Sequence, residues 1–330
     1  MKQLPGCEAI AKYSEITDAE WHELRRSGIG GSDAAAVVGY SKWNSPLSVW
    51  MEKTGRMHTE ATGEAIEVGN VLEPLIRREV LPDYLENHGY EDVRVIDPTH
   101  MYRSKDNPFV IINVDGFLLL PGYPEPRGLE IKTGSSYMLP EWGGLDGDEV
   151  PNAYYCQVQH YLAGTGLSEW WVFGLIGNQR VLRIVPRNED FIQDLIESER
   201  KFWELVESND SLLAPMPRGT AADMDALMAL GDPQQDSTVD LSEIEDLIDE
   251  YAQLRVELQD RDERREIVKQ KIILFLNNSR YGESDLFRVT FSRYQKTYFK
   301  KSAFKKDHGD LFGKYTETTE VGRLSVRGRS

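Results

Sequence analysis

Cysteine is nearly missing from this sequence. Cys7 and Cys156 are the only two in 330 residues. That excludes a disulfide framework and fits a reducing compartment. Histidine is sparse as well, with six scattered residues. His160 has no cysteine or histidine at metal spacing, and no Ser-His-Asp or Cys-His arrangement is indicated. No Gly-x-Gly-x-x-Gly opens a helix and there is no Walker A sequence, so nucleotide cofactors are unsupported. Gly (27) and Pro (15) are ordinary in number, which excludes collagen-like and repeat architectures. The first fifteen residues contain no long apolar stretch. Neither a signal peptide nor a membrane span is expected, and the cytoplasm is the expected compartment.

Positive charge is in short supply. The net charge is −17, from 38 Lys/Arg against 55 Asp/Glu. This excludes a DNA coat or architectural protein, whose affinity rests on many phosphate contacts. An enzyme acting on DNA stays open because the charge is segregated. Residues 286–330 carry 11 Lys/Arg against 4 Asp/Glu, while residues 222–250 carry ten Asp/Glu and no Lys or Arg. The basic tail reads either as a solvated face or as a nucleic-acid contact. Apolar residues make up 40%, enough for one large core plus an appendage.

Thr17 as N-cap and Glu20 in the capping-box position predict a helix over 17–26. The run Gly28-Ile29-Gly30-Gly31-Ser32-Asp33 breaks it, and Ser32 or Asp33 is expected to cap a short helix over 34–38. Pro46 opens the next helix and Gly55 ends it. A stronger helix is predicted over 69–86, with Val71, Leu72, Leu75, Ile76 and Val80 as its stripe. Pro74 fits it only in the first turn. Strands are predicted over 93–96, 109–114, 117–120 and 128–132, with a hairpin of 170–175 and 180–185 about Gly177-Asn178. Helices are predicted over 151–163 and 188–206. This order predicts an α/β fold, a mixed central sheet with helices on both faces.

Residues 1–214 are expected to form one domain, 215–240 an acidic linker, and 241–330 a long helix with a basic C-terminal extension. In that helix Leu241, Ile244, Ile248, Tyr251, Leu254 and Leu258 recur at three to four residues. The charged run 260–266 is expected to turn it outward or break it. Packing within the subunit is the preferred reading, and a short coiled-coil contact with another subunit is the alternative.

Chemistry concentrates in the middle of the chain. Asn113-Val114-Asp115-Gly116-Phe117 reads as a strand ending in an aspartate, and Gly128-Leu129-Glu130-Ile131-Lys132 as its neighbour. Residues two apart share a face, so Glu130 and Lys132 look into one space while Ile131 points into the core. A buried Glu-Lys pair is the plain alternative, but burial costs such a pair much of its attraction. A divalent cation on Asp115 and Glu130, with the Ile131 carbonyl as a further ligand and a water beside Lys132, uses the charges better. It suits phosphodiester hydrolysis. Hard oxygen donors imply Mg²⁺ or Mn²⁺. Glu73 is the candidate further acidic group, expected in a first helical turn, where the helix dipole alone would also favour it. Glu64 and Glu67 are fallback ligands. Gln157 and Tyr161 share a helical face and are candidates to support the lysine or a phosphate. Ordinary packing of Tyr161 beneath a solvent-facing Gln157 is the rival.

The segment 25–33 reads as a tight loop and N-cap, or as an anion pocket. Its glycines permit close backbone approach, Ser32 offers a hydroxyl, and Arg26 or Arg25 a guanidinium fork. Trp43 and Trp50 follow. Either could stack on an end base, although core packing is expected of Trp50.

In this order the pieces resemble the YqaJ-like viral recombinase family, relatives of phage lambda exonuclease within the PD-(D/E)xK nucleases. The resemblance is carried by Arg26-Ser27-Gly28-Ile29-Gly30-Gly31-Ser32-Asp33-Ala34, by 45–55, and by Gly69-Asn70-Val71-Leu72-Glu73-Pro74. Asp115-Gly116, Glu130-Ile131-Lys132 and Gln157-Val158-Gln159-His160-Tyr161 complete it. Val114 stands where the superfamily motif has proline. The resemblance implies a restriction-endonuclease-like core in which Asp115 and Glu130 bind Mg²⁺, with Mn²⁺ as a substitute. Glu73 would complete the site, Lys132 would orient or activate water, and Arg26 and Ser32 would receive the 5′-phosphate of a duplex end. It further implies a 5′-to-3′ exonuclease on linear double-stranded DNA, leaving 3′ overhangs for a single-strand annealing protein. A homo-oligomer, a trimer, in the cytoplasm of a bacterium or phage-infected host is also implied. A restriction-like endonuclease or a single-strand-preferring exonuclease would use the same site. A non-catalytic DNA-binding scaffold is the reading outside enzymes, and the intact Asp115, Glu130 and Lys132 argue against it.

Overall fold

The computed structural model describes residues 4–57, 63–145, 147–229, 238, 240–316 and 326. The chain divides into two units, Met1–Pro233 and Gln234–Ser330. In the first, β1 (Cys7–Lys12) pairs antiparallel with β3 (His100–Ser104), which pairs with the short β4 (Ile111–Ile112). The larger sheet runs β2 (Arg94–Ile96), β5 (Gly116–Leu119), β6 (Arg127–Gly134), β7 (Glu169–Ile176), β8 (Gln179–Pro186). Only β6 and β7 are parallel. A parallel pair needs a crossover, and α6 (Asn152–Thr165) lies in it.

Alternation along these strands makes two cores. Leu118, Leu129, Ile131, Trp171 and Phe173 pack with Ile76, Leu81 and Leu85 on one face. Phe117, Trp170, Val172 and Val181 pack on the other with Trp50, Val158 and Phe202. The mixed sheet flanked by helices is therefore present. Trp50 is fully buried, as expected.

Thr17 and Glu20 form the capping box of α1 (Asp18–Arg26). The next helix corrects the reading of its cap. α2 (Gly31–Val37) is capped by Gly30, and Asp33 returns a bond to the Gly30 N–H at 3.0 Å. Pro46 opens α3 (Pro46–Lys53) as expected. A larger correction concerns Pro74. Helix α4 (Glu64–Leu75) starts earlier than predicted and carries Pro74 near its C-terminal end. A π-helical turn, Ile76–Val80, follows before α5 (Leu81–Asn87). Proline lacks an N–H and crowds the preceding carbonyl, and widening the next turn is one way to absorb that without ending the helix. Glu73 thus lies inside a long helical run, and Val71 and Leu75 are exposed instead of forming the stripe.

The α7 helix (Glu189–Ser208) is capped by Asn188, whose side chain accepts from the Phe191 N–H at 3.1 Å. Beyond it, α8 (Ala221–Ala229) occupies part of the acidic stretch and contacts α3.

The second unit is built on α9 (Glu245–Leu276), followed by the β9 (Tyr281–Glu283) and β10 (Arg288–Thr290) hairpin, then α10 (Lys301–Asp307) and α11 (Gly309–Lys314). The charged run 260–266 neither breaks nor ends α9, since its residues are good helix formers with i,i+3 and i,i+4 pairs. Packing within the subunit was the preferred expectation for this helix, yet only Leu276 of it is buried. Of the basic tail, 317–325 and 327–330 lie outside the described residues. Among the described residues, no helix is long and apolar enough to cross a membrane.

Candidate active site

Strand β6 sorts its residues by parity. Leu129 and Ile131 face the core that holds Leu81 and Leu85. Gly128, Glu130 and Lys132 face α6. Gly128 is required there, because a Cβ would lie 2.2 Å from the Trp170 ring.

Antiparallel pairing of β5 with β6 begins at Gly116 opposite Leu129. Asp115 therefore precedes a strand, where the sequence suggested that it ends one. Beyond that point the Ile131 N–H has no β5 partner, and Asp115 Oδ2 accepts it at 2.7 Å. One side chain thus replaces a ladder bond and is fixed beside Glu130.

Glu130 is buried, and its Oε1 accepts from Lys132 Nζ at 2.5 Å and from Gln157 Nε2 at 2.6 Å. Gln157 Oε1 accepts from the same ammonium at 3.0 Å, and Gln157 Nε2 also donates to the Tyr161 hydroxyl at 3.0 Å. The i,i+4 spacing of α6 brings Gln157 and Tyr161 together as expected, but Gln157 is buried in the network. The Tyr154 ring lies 4.7 Å from Lys132 Nζ and adds a cation-π contact that the sequence reading missed.

Charge in this cluster is unbalanced. Burial, then Glu130, then Glu73 push the Asp115 carboxyl well above the ordinary carboxylate range. Burial also raises Glu130 against the pull of Lys132. Burial alone would lower Lys132, but Glu130 and Asp115 outweigh it and keep the ammonium charged. Two carboxylates share one cation, and Glu130 Oε2 is buried without a hydrogen-bond partner.

Glu73 is oriented by another residue the sequence reading missed. Arg77, one turn on, donates from Nη1 to Glu73 Oε1 and to the Asp115 carbonyl, both at 2.7 Å. Its Nε donates to Asp97 at 2.8 Å. The i,i+4 spacing of Glu73 and Arg77 was the available signal.

The glycine-rich loop is joined to this site by packing. A Cβ on Gly31 would lie 2.6 Å from the Tyr161 ring, so only glycine lets α2 approach so closely. Arg25 Nη2 donates to Ser32 Oγ at 2.9 Å and lies 3.6 Å from Asp33 Oδ1. Lys53 Nζ meets Asp33 Oδ2 at 2.7 Å. Arg26 occupies the last position of α1 and is partly buried.

The donor set suits a hard divalent cation. Asp115 and Glu130 offer carboxylate oxygens, Glu130 Oε2 lacks a partner, and the surplus negative charge calls for a cation. Among the described residues, no three His, Cys, Asp or Glu side chains converge as a ligand group. A cation here would complete its shell with backbone oxygen, for which Ile131 is the candidate, and with water, as Mg²⁺ commonly does.

Residues 20–168 match the YqaJ-like viral recombinase domain. Over these residues the chain is similar to that family. It is 26% identical over 329 residues to the uncharacterized protein YqaJ of Bacillus subtilis strain 168, covering 97% of both chains. Among solved structures it is similar to LHK-Exo in complex with dAMP, with 17% identity, a TM-score of 0.47, and 58% of this chain and 93% of that chain covered. The alkaline exonuclease LHK-Exo from Laribacter hongkongensis gives 18% identity and a TM-score of 0.44 over the same shares.

Beside this site a cleft of about 600 Å³ is lined in part by Lys42, Trp43, Glu141 and Tyr154. Trp43 is 60% exposed and stacks on Tyr154 with centroids 6.5 Å apart. Tyr154 thereby links an exposed indole to Lys132.

Proposed function

We propose that this protein is a Mg²⁺-dependent 5′-to-3′ exonuclease on linear double-stranded DNA. It would leave 3′ overhangs for a single-strand annealing protein. The observation that carries the reading is the pair of crowded carboxylates, Asp115 and Glu130, beside a charged Lys132. When bound, the cation would supply a Lewis acid and a water of lowered pKa. Asp115, Glu130 and the Ile131 carbonyl would hold it, and Glu73 would add a further carboxylate. Mn²⁺ would substitute. Lys132 orients the attacking water and offsets charge on the scissile phosphate. Gln157 holds Lys132 and Glu130 in register, and Tyr161 holds Gln157.

Arg26 and Ser32, with Arg25 on the Ser32 hydroxyl, receive the 5′-phosphate of the duplex end. Trp43 offers a face for an end base. Assembly as a homo-oligomer, a trimer, follows from the family resemblance.

The test compares 5′-phosphorylated linear, 5′-hydroxyl linear and circular duplexes, each with Mg²⁺ or with chelator. Loss of the 5′-phosphorylated linear strand with Mg²⁺ alone, and no cleavage of the circle, is expected. Cutting of the circle would transfer the site to an endonuclease.

A further inference from the structure

The second unit carries an apolar seam that no described residue of that unit covers. Ile244, in the turn just before α9, and Tyr251, Leu258, Arg265 and Ile272 along it recur every seven residues. Leu247, Leu254, Arg261, Val268 and Phe275 recur three residues after each of them. This is the spacing of a two-stranded seam. All eight of its apolar side chains are exposed, Phe275 at 92%.

We propose that α9 pairs with α9 of a second copy of this chain as an antiparallel coiled coil. The charges beside the seam choose both the occupant and its direction. Glu250, Glu257, Arg264 and Lys271 each precede the first seam position of a heptad, and Ile248, Arg255, Asp262 and Lys269 follow the second. In the antiparallel register that sets Ile244 against Phe275 of the second copy, Glu250 faces Lys271 of that copy. Glu257 faces Arg264, and Arg255 faces Asp262. Every charged pair is opposite in sign. A parallel dimer would set Glu257 beside Asp262 and Arg264 beside Lys269, both pairs of like charge.

The arginines inside the seam make the same choice. In a parallel pair, or a parallel bundle of three, Arg261 and Arg265 would stack on their own copies. In the antiparallel register Arg261 meets Leu258 of the second copy and Arg265 meets Leu254. Arg261 already reaches Glu257 of its own helix at 3.7 Å, so its stem can cover the leucine while its guanidinium leaves the seam. The partner's Ile244 and Leu247 would then reach an apolar groove of about 700 Å³ bordered by Ile272, Phe275, Phe287 and Val289.

This inference uses no residue of the nuclease site, so its failure and that of the nuclease reading are separable. The test uses the full chain. Cys7 and Cys156 are buried, which leaves an introduced surface thiol to report on pairing. Ile244→Cys and Phe275→Cys proteins are mixed, mildly oxidised and run on a non-reducing gel. A disulfide-linked dimer in the mixture, with little from Ile244→Cys alone, is expected. Self-linking of Ile244→Cys, or no linking in any sample, overturns the proposal.

A charge exchange gives an independent readout by light scattering. Glu250→Lys with Glu257→Lys in one chain, and Arg264→Glu with Lys271→Glu in another, should each weaken association at least tenfold. Mixing the two chains should restore it, since every facing pair is then opposite again. Unchanged mass for both variants alone overturns the proposal.

Discussion

Lys53 Nζ lies 2.7 Å from Asp33 Oδ2, and neither side chain is more than 1% exposed. Burial alone would raise the Asp33 carboxyl, but Lys53 and Arg25 outweigh it, and with the Gly30 N–H they hold it at about 2. The pair clamps the end of α3 onto the first turn of α2, which carries Ser32. Removing one partner leaves the other charge buried, so Asp33→Asn and Lys53→Met should each destabilise by roughly 3–5 kcal/mol. The depressed carboxyl contributes stability above its unfolded value of 3.8 and loses it as pH falls toward about 2. Urea unfolding across that window should show a shallower acid decline in Asp33→Asn than in the parent. Equal declines would remove the pair from the account.

The site makes stability and activity diverge. Asp115→Asn removes a carboxylate that its neighbours crowd, so the metal-free variant should melt higher than the parent. Its Mg²⁺-induced rise in melting temperature and its cleavage of DNA should both vanish. Lys132→Met should cut the cleavage rate by about 10²–10⁴ while keeping a Mg²⁺-induced shift. Cleavage by a well-folded Glu130→Ala protein at the parent rate would falsify the assignment.

Much of this was legible in the sequence because it rests on period. Parity along 128–132 put Glu130 and Lys132 on one face, and the i,i+4 rule put Tyr161 against Gln157. What escaped depends on contacts between distant segments. The strands over 7–12 and 100–104 are poor in β-branched residues, and their pairing with each other holds them. Asp33 read as a cap because the sequence does not show that Lys53, twenty positions away, would be buried against it. Nothing in the apolar stripe of 69–86 singles out Arg77, but the π-helical turn after Pro74 includes it, and it is buried. Spacing left Arg25 and Arg26 open, because the phase of the last turn of α1 decides which one meets Ser32.

His160 and Glu199 form a second sealed pair. Nδ1 lies 2.8 Å from Glu199 Oε1, and Nε2 lies 3.1 Å from the Ile111 carbonyl, a geometry that asks both ring nitrogens to donate. Burial alone would lower the imidazole, but Glu199 outweighs it, with Ile111 and the more distant Asp33 adding to the rise above the usual 6.5. A raised histidine contributes fully below its unfolded value and loses that contribution as pH rises through the folded one. Folding free energy from urea titration should therefore decline above pH 6.5, and Glu199→Gln should flatten that decline. A parallel decline in both proteins would show that other groups carry it.

The described part of the basic tail exposes Tyr294, Tyr298 and Phe299 among its lysines. That suits contact with a DNA backbone and some stacking. Replacing Lys300, Lys301, Lys305 and Lys306 with alanine should weaken DNA binding and make its salt dependence shallower. Unchanged affinity and slope, in a folded protein, would assign this segment a structural role.

The choice between Arg25 and Arg26 can be settled with duplex ends. Arg25 holds the Ser32 hydroxyl at 2.9 Å and is drawn toward Asp33, so its loss should loosen the loop and lower activity on every substrate. Arg26→Ala, if that guanidinium meets the terminal phosphate, should slow 5′-phosphorylated duplexes far more than 5′-hydroxyl ones. One lost charge-assisted contact is worth about 1.5–3 kcal/mol, or roughly a factor of 10 to 150 in the ratio of the two rates. Single-turnover rates on both ends, with both variants, give that ratio directly. If Arg25→Ala changes the ratio and Arg26→Ala does not, the phosphate contact belongs to Arg25. If neither changes it, the glycine-rich loop is a packing element against Tyr161 and the end of the strand is recognised elsewhere.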